Sequence, residues 1–165
     1  MFHSILLKRI KKLKREIMSL EEYHKKRDFQ VSPEPKGNIG DKRGNIFVIQ
    51  EHHSSHLHWD LRLEIDGVLK SWAVPKEPPT EKGIKRLAIN VEDHPVEYGS
   101  FEGVIPAGMY GAGTVAIWDK GTFLLRERND SKLTFELKGK KLNGIFNLVY
   151  VPNIGKNSWL FFKKK

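Results

Sequence analysis

Apolar and polar residues alternate with a period of two along much of the chain. The clearest alternation covers residues 57–65. One face of this segment collects large apolar side chains, namely Trp59, Leu61, Leu63 and Ile65. The other face is polar and consists of His58, Asp60, Arg62 and Glu64. Successive side chains of a strand point to opposite sides of a sheet, so the segment predicts a half-buried β-strand.

The same criterion predicts strands at residues 47–52, 57–65, 68–74, 86–91, 114–118, 122–127, 133–138, 145–151 and 158–163. Asp66-Gly67 predicts a tight hairpin turn, and residues 119–121 and 153–157 predict later turns. Many short strands at this spacing indicate an all-β-dominated fold, a closed or nearly closed antiparallel β-barrel. The longest irregular connections, residues 75–83 and 99–113, are expected to form the rims of a pocket.

The N-terminal segment has a helical pattern instead. Apolar residues recur at spacings of four and three, at Leu6, Ile10, Leu13, Ile17 and Leu20. The pattern predicts a basic amphipathic helical arm over residues 1–22, flanking a barrel domain over residues 23–165. The arm could pack against the barrel, pair with a second copy, or grip nucleic acid. Residues 23–44 are rich in Pro, Gly and charge, which is typical of a surface linker.

Composition narrows the class of protein. A chain of 165 residues can bury one core, and it has no cysteines, which suits a reducing cytosol. No apolar run is long enough to span a membrane, so a soluble, cytoplasmic protein is expected. The net charge of +9 is concentrated at the two ends, because residues 1–27 hold nine Lys/Arg against three Glu and Lys163, Lys164 and Lys165 end the chain. Basic tails favour an anionic partner such as nucleic acid.

Four of the seven histidines lie within residues 52–58. If the strands at 47–52 and 57–65 pair, His52 returns beside His58 and Asp60. Two histidines and a carboxylate with open coordination positions suit catalytic Mn, Fe or Zn. His53 and His56 are competing ligands.

Arg62 follows Asp60 on the same strand face, where a buried guanidinium would require an anion. A phosphate held by two hydrogen bonds fits, and the alternative is a salt bridge to Glu64 or another carboxylate. His94 and Tyr98 come just after a strand and could serve the same pocket. From these residues alone, a non-haem Fe(II) oxygenase and a nucleic-acid-binding barrel without catalysis both stay open.

Several longer stretches resemble the 3′-phosphoesterase domain of bacterial ligase D, the multidomain enzyme of non-homologous end joining. They are KRDF, VSPEP, FVIQEHHSSHLHWDLRLEIDGVLKSWAVPK and RLAINVEDHPVEYGSFEGVIPAGMYGAGTVAIWDKG. The resemblance covers residues 23–165. It implies a metal-dependent enzyme, typically with manganese, which removes a terminal ribonucleoside and then the remaining 3′-phosphate to leave a 3′-OH.

The resemblance also implies roles for individual residues. His52, His58 and Asp60 would hold the metal. Arg62, His94 and Tyr98 would contact the phosphate, joined by further active-site residues from the segment predicted as a linker, namely Arg27, Asp28 and Glu34. Lys76 and Arg86 would lie near the substrate. The expected partners are DNA or RNA-tipped DNA primer-template 3′ ends and a separately encoded DNA ligase, since ligase or polymerase motifs have no room in this chain. Its imidazole pKa makes His94 the candidate general acid.

Overall fold

The computed structural model describes residues 1–39 and 44–165, except for the side chains of residues 12, 13 and 15–18. Two helices, α1 (Phe2–Ser19) and α2 (Glu21–Lys25), precede the strands. The strands described are β1 (Ile46–His53), β2 (Leu57–Ile65), β3 (Val68–Val74), β4 (Lys85–His94), β5 (Gly103–Ile105), β6 (Gly113–Asn129), β7 (Lys132–Lys138), β8 (Asn143–Tyr150) and β9 (Ser158–Lys163). A short 3-10 helix, Val96–Ser100, follows β4.

Eight of these strands close into an antiparallel barrel. The order around it is β1-β2-β3-β4-β9-β8-β7-β6, and β6 pairs back with β1. β5 is a short addition along the first residues of β6. The predicted closed antiparallel barrel with a flanking N-terminal helix is confirmed, and closure leaves these eight strands without free edges.

The barrel interior is the main hydrophobic core. β2 contributes Trp59, Leu61 and Leu63 to it, and they pack with residues of the opposite wall such as Phe135 and Phe161. Because side chains alternate along a strand, the polar face of β2 lies on the outside of the barrel wall. The row of polar side chains predicted from the alternation is therefore an external face of the barrel.

A second apolar layer covers part of this external face. Tyr23 of α2 packs there with Tyr98 and Phe101, at the end of the 3-10 helix, and with Leu69 and Ile105 from β3 and β5. Each of these side chains is at most 9% exposed. The layer encloses the polar row between the barrel wall and the N-terminal segment, which turns an external face into a cleft.

Strand boundaries agree with the predicted ones to within two residues except in β4 and β6. β4 continues to His94, so His94 ends this strand and does not follow it as predicted. The predicted turn at residues 119–121 is wrong, because β6 continues through it with an irregularity opposite Ile49 and Gln50. Asp119 accepts hydrogen bonds from backbone N–H groups of residues 140–142 instead of closing a turn. Gly121 marks a close approach of two strands, since a Cβ there would collide with the Lys138 carbonyl oxygen.

One other local feature was predicted and another was missed. The hairpin turn at Asp66-Gly67 is confirmed, with φ of 57° at Asp66 and 80° at Gly67, as the tight turn requires. β5 was not predicted, because its three residues lie within a glycine-rich stretch with too few positions to show a period.

The N-terminal helix is confirmed, and α1 ends at Ser19. Its apolar side chains Phe2, Leu6 and Ile10 are 87%, 55% and 45% exposed, whereas Leu20, just beyond its end, is 1% exposed. The side chains of Leu13 and Ile17 lie outside the described part of the chain. Among the described residues, no helix is long and apolar enough to cross a lipid bilayer.

Candidate active site

The pairing of β1 with β2 assembles a group of three potential metal ligands. His52 and His58 are direct partners in the antiparallel register, with ring centroids 4.7 Å apart. Asp60 lies two residues beyond His58 on the same face. One potential ligand atom from each of the three residues lies within 4.8 Å of the other two. The structure therefore brings together the three residues that the spacing predicted.

Hydrogen bonds to backbone carbonyls orient both imidazoles. His52 Nε2 lies 2.7 Å from the Gly111 carbonyl oxygen, and His58 Nδ1 lies 2.9 Å from that of His56. A carbonyl only accepts, so each of these nitrogens carries the proton. His52 Nδ1 and His58 Nε2 are left facing Asp60 Oδ2, at 3.6 and 3.4 Å. This is the outer-shell arrangement typical of metal-binding histidines.

The electrostatics of the three residues also suit a cation. Burial alone would raise the pKa of the Asp60 carboxyl, but the Arg62 guanidinium and the two histidines outweigh it and hold that pKa far below its usual range. Burial lowers and the Asp60 carboxylate raises the pKa of His58, and the net effect is a raised value. The ionised carboxylate beside two oriented nitrogens is a mixed N/O donor set that fits a divalent metal.

The competing histidines do not join this group. His53 points away, is about half exposed and lies 3.6 Å from Glu51. His56 offers its backbone carbonyl to His58.

Arg62 is held rigidly beside the potential metal ligands. Its Nε donates to Gln50 Oε1 at 2.7 Å, and its Nη1 donates to Ser71 Oγ at 2.9 Å. Its Nη2 lies 3.4 Å from Asp60 Oδ2, and its guanidinium packs on the Tyr98 ring. Of the predicted alternatives, the pair with Glu64 is not found, because Glu64 accepts from backbone N–H groups. The salt bridge to another carboxylate is found, since Arg62 pairs with Asp60. A guanidinium fixed on several sides presents its remaining donors at little entropic cost.

A second arginine reaches the cleft from the N-terminal segment. Arg27 donates from Nε to Glu34 at 2.9 Å and from Nη1 to the Tyr23 carbonyl at 3.1 Å. Glu34 also accepts from the Tyr98 hydroxyl at 2.8 Å. The segment predicted from pattern alone as a surface linker is thus bound to the 3-10 helix through Glu34 and Tyr98.

His94 is buried between the two arginines and has a defined tautomer. Its Nδ1 lies 3.0 Å from the Glu92 carbonyl oxygen and its Nε2 lies 3.3 Å from Arg27 Nη2. The carbonyl requires a proton on Nδ1, and the guanidinium requires a lone pair on Nε2. Burial and the charges of Arg62 and Arg27 lower the pKa of His94 well below 6.5. In the free protein His94 is therefore neutral, which the sequence alone does not indicate.

These groups line a cleft of about 250 Å³. Its polar lining includes Arg27, His52, His58, Asp60, Arg62, Glu92, His94 and Tyr98. The predicted rim at residues 99–113 contributes Ile105, Tyr110 and Gly111. The other predicted rim, residues 75–83, contributes no residue to the described lining.

Four residues that the resemblance placed at the site lie outside this lining, namely Asp28, Glu34, Lys76 and Arg86. Asp28 is exposed, and its carboxylate accepts from the Gln30 N–H to form the turn that leads to Glu34. Lys76 is exposed, and Arg86 donates to the Glu77 carbonyl at 2.8 Å. Substrate contacts by Lys76 and Arg86 stay predictions.

Several residues of the cleft were not predicted from the sequence. Gln50, fully buried, donates to the Tyr98 and Phe101 carbonyls while it accepts from Arg62. The strand parity that it shares with His52 was the available signal. Glu92 pairs with Lys26 and Arg27 at 3.3 and 3.6 Å, contacts that no local pattern could indicate.

Comparison with known proteins gives one consistent family. The family model described as the DNA ligase D 3′-phosphoesterase domain matches residues 50–150. The multifunctional non-homologous end joining protein LigD of Pseudomonas aeruginosa is 46% identical over 155 aligned residues, covering 88% of this chain and 18% of the relative. The corresponding DNA repair protein of Mycobacterium tuberculosis is 49% identical over 138 residues, covering 79% of this chain and 18% of the relative. The chain thus spans less than a fifth of the length of these two relatives.

Proposed function

Since this chain belongs to the family of the DNA ligase D 3′-phosphoesterase domain, a hydrolase of non-homologous end joining, we propose that it heals 3′ ends of nucleic acids. It removes 3′-terminal ribonucleosides and then 3′-phosphates, and it leaves a 3′-OH. Its substrates are the 3′ ends of DNA or RNA-tipped DNA primer-templates. A 3′-OH is the end that a DNA ligase joins, so a DNA ligase would consume the product.

The observation that carries the proposal is the placement of a cation-binding group beside an anion-binding group in one cleft. Asp60 belongs to both, since it faces the two histidines and also pairs with Arg62 at 3.4 Å. Hydrolysis of a phosphate ester uses both groups. A bound metal ion and a guanidinium can each stabilise negative charge on the non-bridging oxygens while a bond to phosphorus breaks.

His52, His58 and Asp60 would hold the metal, for which we propose Mn²⁺. When bound there, the metal supplies Lewis-acid polarisation of a phosphate oxygen. Arg62 donates to the phosphate oxygens from a position set by Gln50 and Ser71. Removal of one such preorganised donor typically lowers the rate by about 10²- to 10³-fold.

His94 is proposed to act as the general acid, but only in the substrate complex. In the free protein its Nε2 accepts from Arg27 and carries no proton. A phosphate dianion in the cleft would draw the Arg27 guanidinium to itself and raise the pKa of His94. The protonated imidazole then gives its proton to the departing oxygen. When the 3′-phosphate is removed, water adds its oxygen to phosphorus and releases a proton to solvent, and the bond from phosphorus to the 3′ oxygen of the strand breaks. When a terminal ribonucleoside is removed, the bond that breaks is the one from phosphorus to the 5′ oxygen of that ribonucleoside, so the 3′-phosphate stays on the strand.

The test uses a 5′-labelled primer-template that ends in a 3′-phosphate, and a second that ends in two ribonucleotides. Each is incubated with metal-stripped protein plus Mn²⁺, Mg²⁺, Zn²⁺ or no metal. Conversion to a 3′-OH by wild type and its absence in His58→Ala is the expected result. Leu124→Ala, at an exposed position on β6 that is not in the described lining of the cleft, is the matched control. Binding without conversion under every metal would instead favour a non-catalytic nucleic-acid-binding barrel.

A further inference from the structure

Tyr110 is an exposed aromatic ring at the mouth of the cleft. It lines the same cavity as the candidate metal and phosphate groups, yet 48% of its surface is exposed. Tyr98, the other tyrosine of the lining, is only 2% exposed and donates its hydroxyl to Glu34. Tyr110 thus presents its ring towards solvent at the entrance, and the chemistry proposed above gives it no role.

The loop that carries Tyr110 is a defined turn. Gly108 and Gly111 flank the position with φ of 84° and 76°, values that favour glycine. Backbone bonds from Met109 to Pro106 and from Ala112 to Met109 close the turn at 3.2 and 3.1 Å. Gly111, the residue after Tyr110, accepts a hydrogen bond from His52 Nε2 through its carbonyl oxygen. The position of Tyr110 is thereby tied to one of the residues that would hold the metal.

Cations lie against the ring. Lys26 Nζ is 4.7 Å and Arg27 Cζ is 5.5 Å from the Tyr110 ring centroid. Lys26 is itself held at 3.0 Å by Glu22 and at 3.3 Å by Glu92, which limits where its ammonium can go. A ring with cations close by is a favourable partner for a second flat π-system and for the phosphates attached to it.

The cleft therefore changes character from its floor to its mouth. The floor carries Arg62 and the candidate metal ligands, which suit a phosphate. The lining also includes apolar side chains, among them Val91 and Ile105. The mouth carries an aromatic ring. A nucleotide whose phosphate binds the buried groups, of which Arg62 and Asp60 are 3% and 6% exposed, could extend its base towards the exposed ring of Tyr110.

We propose that Tyr110 is a stacking platform for the nucleobase of the nucleotide whose 3′ oxygen carries the reacting phosphate. The inference rests on the proposed function, because that function places the phosphate on the floor of the cleft. Every base has a π-face, so the platform accepts all four bases and confers affinity without sequence preference. Binding to the platform requires a nucleobase on the 3′-terminal nucleotide, whereas binding to the phosphate site alone does not.

The first test measures stacking directly and requires no catalysis. A strand that ends in a 3′-phosphate carries the fluorescent base 2-aminopurine either at its last nucleotide or five nucleotides from the end. Metal-free wild type is expected to quench the terminal probe and leave the internal probe unchanged. Tyr110→Phe keeps the ring and the quenching, whereas Tyr110→Ala loses the quenching. Equal quenching by wild type and Tyr110→Ala, or none by bound wild type, would overturn the platform.

The second test compares a 3′-phosphate end that has its terminal base with one that has an abasic terminal sugar. Wild type should process the base-bearing end with a kcat/KM roughly 5- to 150-fold higher, mostly through KM. Tyr110→Ala should remove this preference, and Leu124→Ala should keep it. Equal processing of both ends by wild type would overturn the platform while the proposed function stands. Quenching at the end without processing by wild type would contradict the proposed function and leave the platform supported.

Discussion

The Asp60 carboxylate lies 3.4 Å from the Arg62 guanidinium, on one face of β2, with the two residues only 6% and 3% exposed. Two buried opposite charges are stable only when further partners satisfy both. The partners lie on opposite sides, because Asp60 turns to the two histidines whereas Arg62 turns to Gln50 and Ser71. The pair therefore joins a region that attracts a cation to a region that attracts an anion.

Metal addition should stabilise the folded protein. A ligand that binds only the folded state adds about 2.7 kcal/mol to the free energy of unfolding at 100 times its Kd. We expect Mn²⁺ to raise the Tm of metal-stripped wild type, and Asp60→Asn and His58→Ala to abolish the rise. Thermal denaturation with and without metal measures this. His53→Ala is the matched control, since His53 is outside the ligand group, and a rise of equal size in His58→Ala would contradict the site.

Replacement of Gln50 should cost both stability and activity. Gln50→Leu removes the side-chain donor of the Phe101 carbonyl and the acceptor of Arg62 Nε, at about 1–3 kcal/mol for each buried group. The Tyr98 carbonyl loses one of two donors and keeps the Phe101 N–H at 3.0 Å. We expect the free energy of unfolding to fall by about 3 kcal/mol and kcat to fall more than KM rises, because Arg62 loses its position. Urea denaturation and steady-state kinetics measure the two effects. Ser71→Ala removes one hydrogen bond to Arg62 and should lower stability and kcat by less than Gln50→Leu does. Full activity of Gln50→Leu would exclude a role of Gln50 in positioning Arg62.

His94 should stay neutral below the pH at which an ordinary histidine titrates. Its pKa is lowered well below 6.5 by burial and by Arg62 and Arg27, so the folded state binds fewer protons there than the unfolded state. Its contribution to stability is present above pH 6.5 and is lost as the pH falls towards the folded pKa. NMR of the imidazole nitrogens should report a proton on Nδ1 at pH 6. Addition of a phosphate end should raise the pKa, and titration near pH 6.5 in the free protein would contradict the assigned tautomer.

Asp119 should matter for stability and not for metal binding. Its carboxylate, 4% exposed, accepts from the backbone N–H groups of Lys120, Lys140, Lys141 and Leu142. Asp119→Ala leaves these donors unpaired, and we expect the free energy of unfolding to fall by about 3 kcal/mol. The Kd for Mn²⁺, measured by calorimetry on the folded fraction, should equal that of wild type. A raised Kd would mean that the contact between Asp119 and residues 140–142 also supports the metal site.

Deletion of residues 1–19 tests the proposed arm, with the barrel domain kept intact. The deletion stops before Leu20, which is buried, and it removes six Lys/Arg against one Glu. If the arm binds phosphates of a duplex, the slope of log K against log salt should become shallower by about 0.9 for each phosphate that the arm neutralises. The Tm should change little, because Phe2, Leu6 and Ile10 are exposed. An unchanged slope of log K against log salt would exclude nucleic-acid binding by α1. If wild type is a dimer and the deletion variant a monomer, the result would favour pairing of the arm with a second copy.

Local pattern was sufficient for much of the barrel and for half of the site. The alternation over residues 57–65 placed Asp60 and Arg62 on one face, because side-chain direction in a strand depends only on parity. The tight turn at Asp66-Gly67 followed from residues that tolerate positive φ. The prediction of a turn at residues 119–121 was wrong because it used local pattern alone. Asp119 and Gly121 contact residues 138–142, which lie too far along the chain for a local pattern to indicate.

The sequence by itself therefore determined most of the strands and the candidate ligand group, and it placed Arg62 beside that group. Through family resemblance it also indicated Arg27 and Glu34 as candidate site residues. Only the tertiary structure decided that the polar face lies outside the barrel wall, that Gln50 holds Arg62, and that His94 is neutral. His94 meets Arg27 across 67 positions of the chain, and Tyr98 meets Glu34 across 64. Such contacts depend on strand register and on how the N-terminal segment packs. The pKa of a buried group is the sum of charges that only the closed fold brings together.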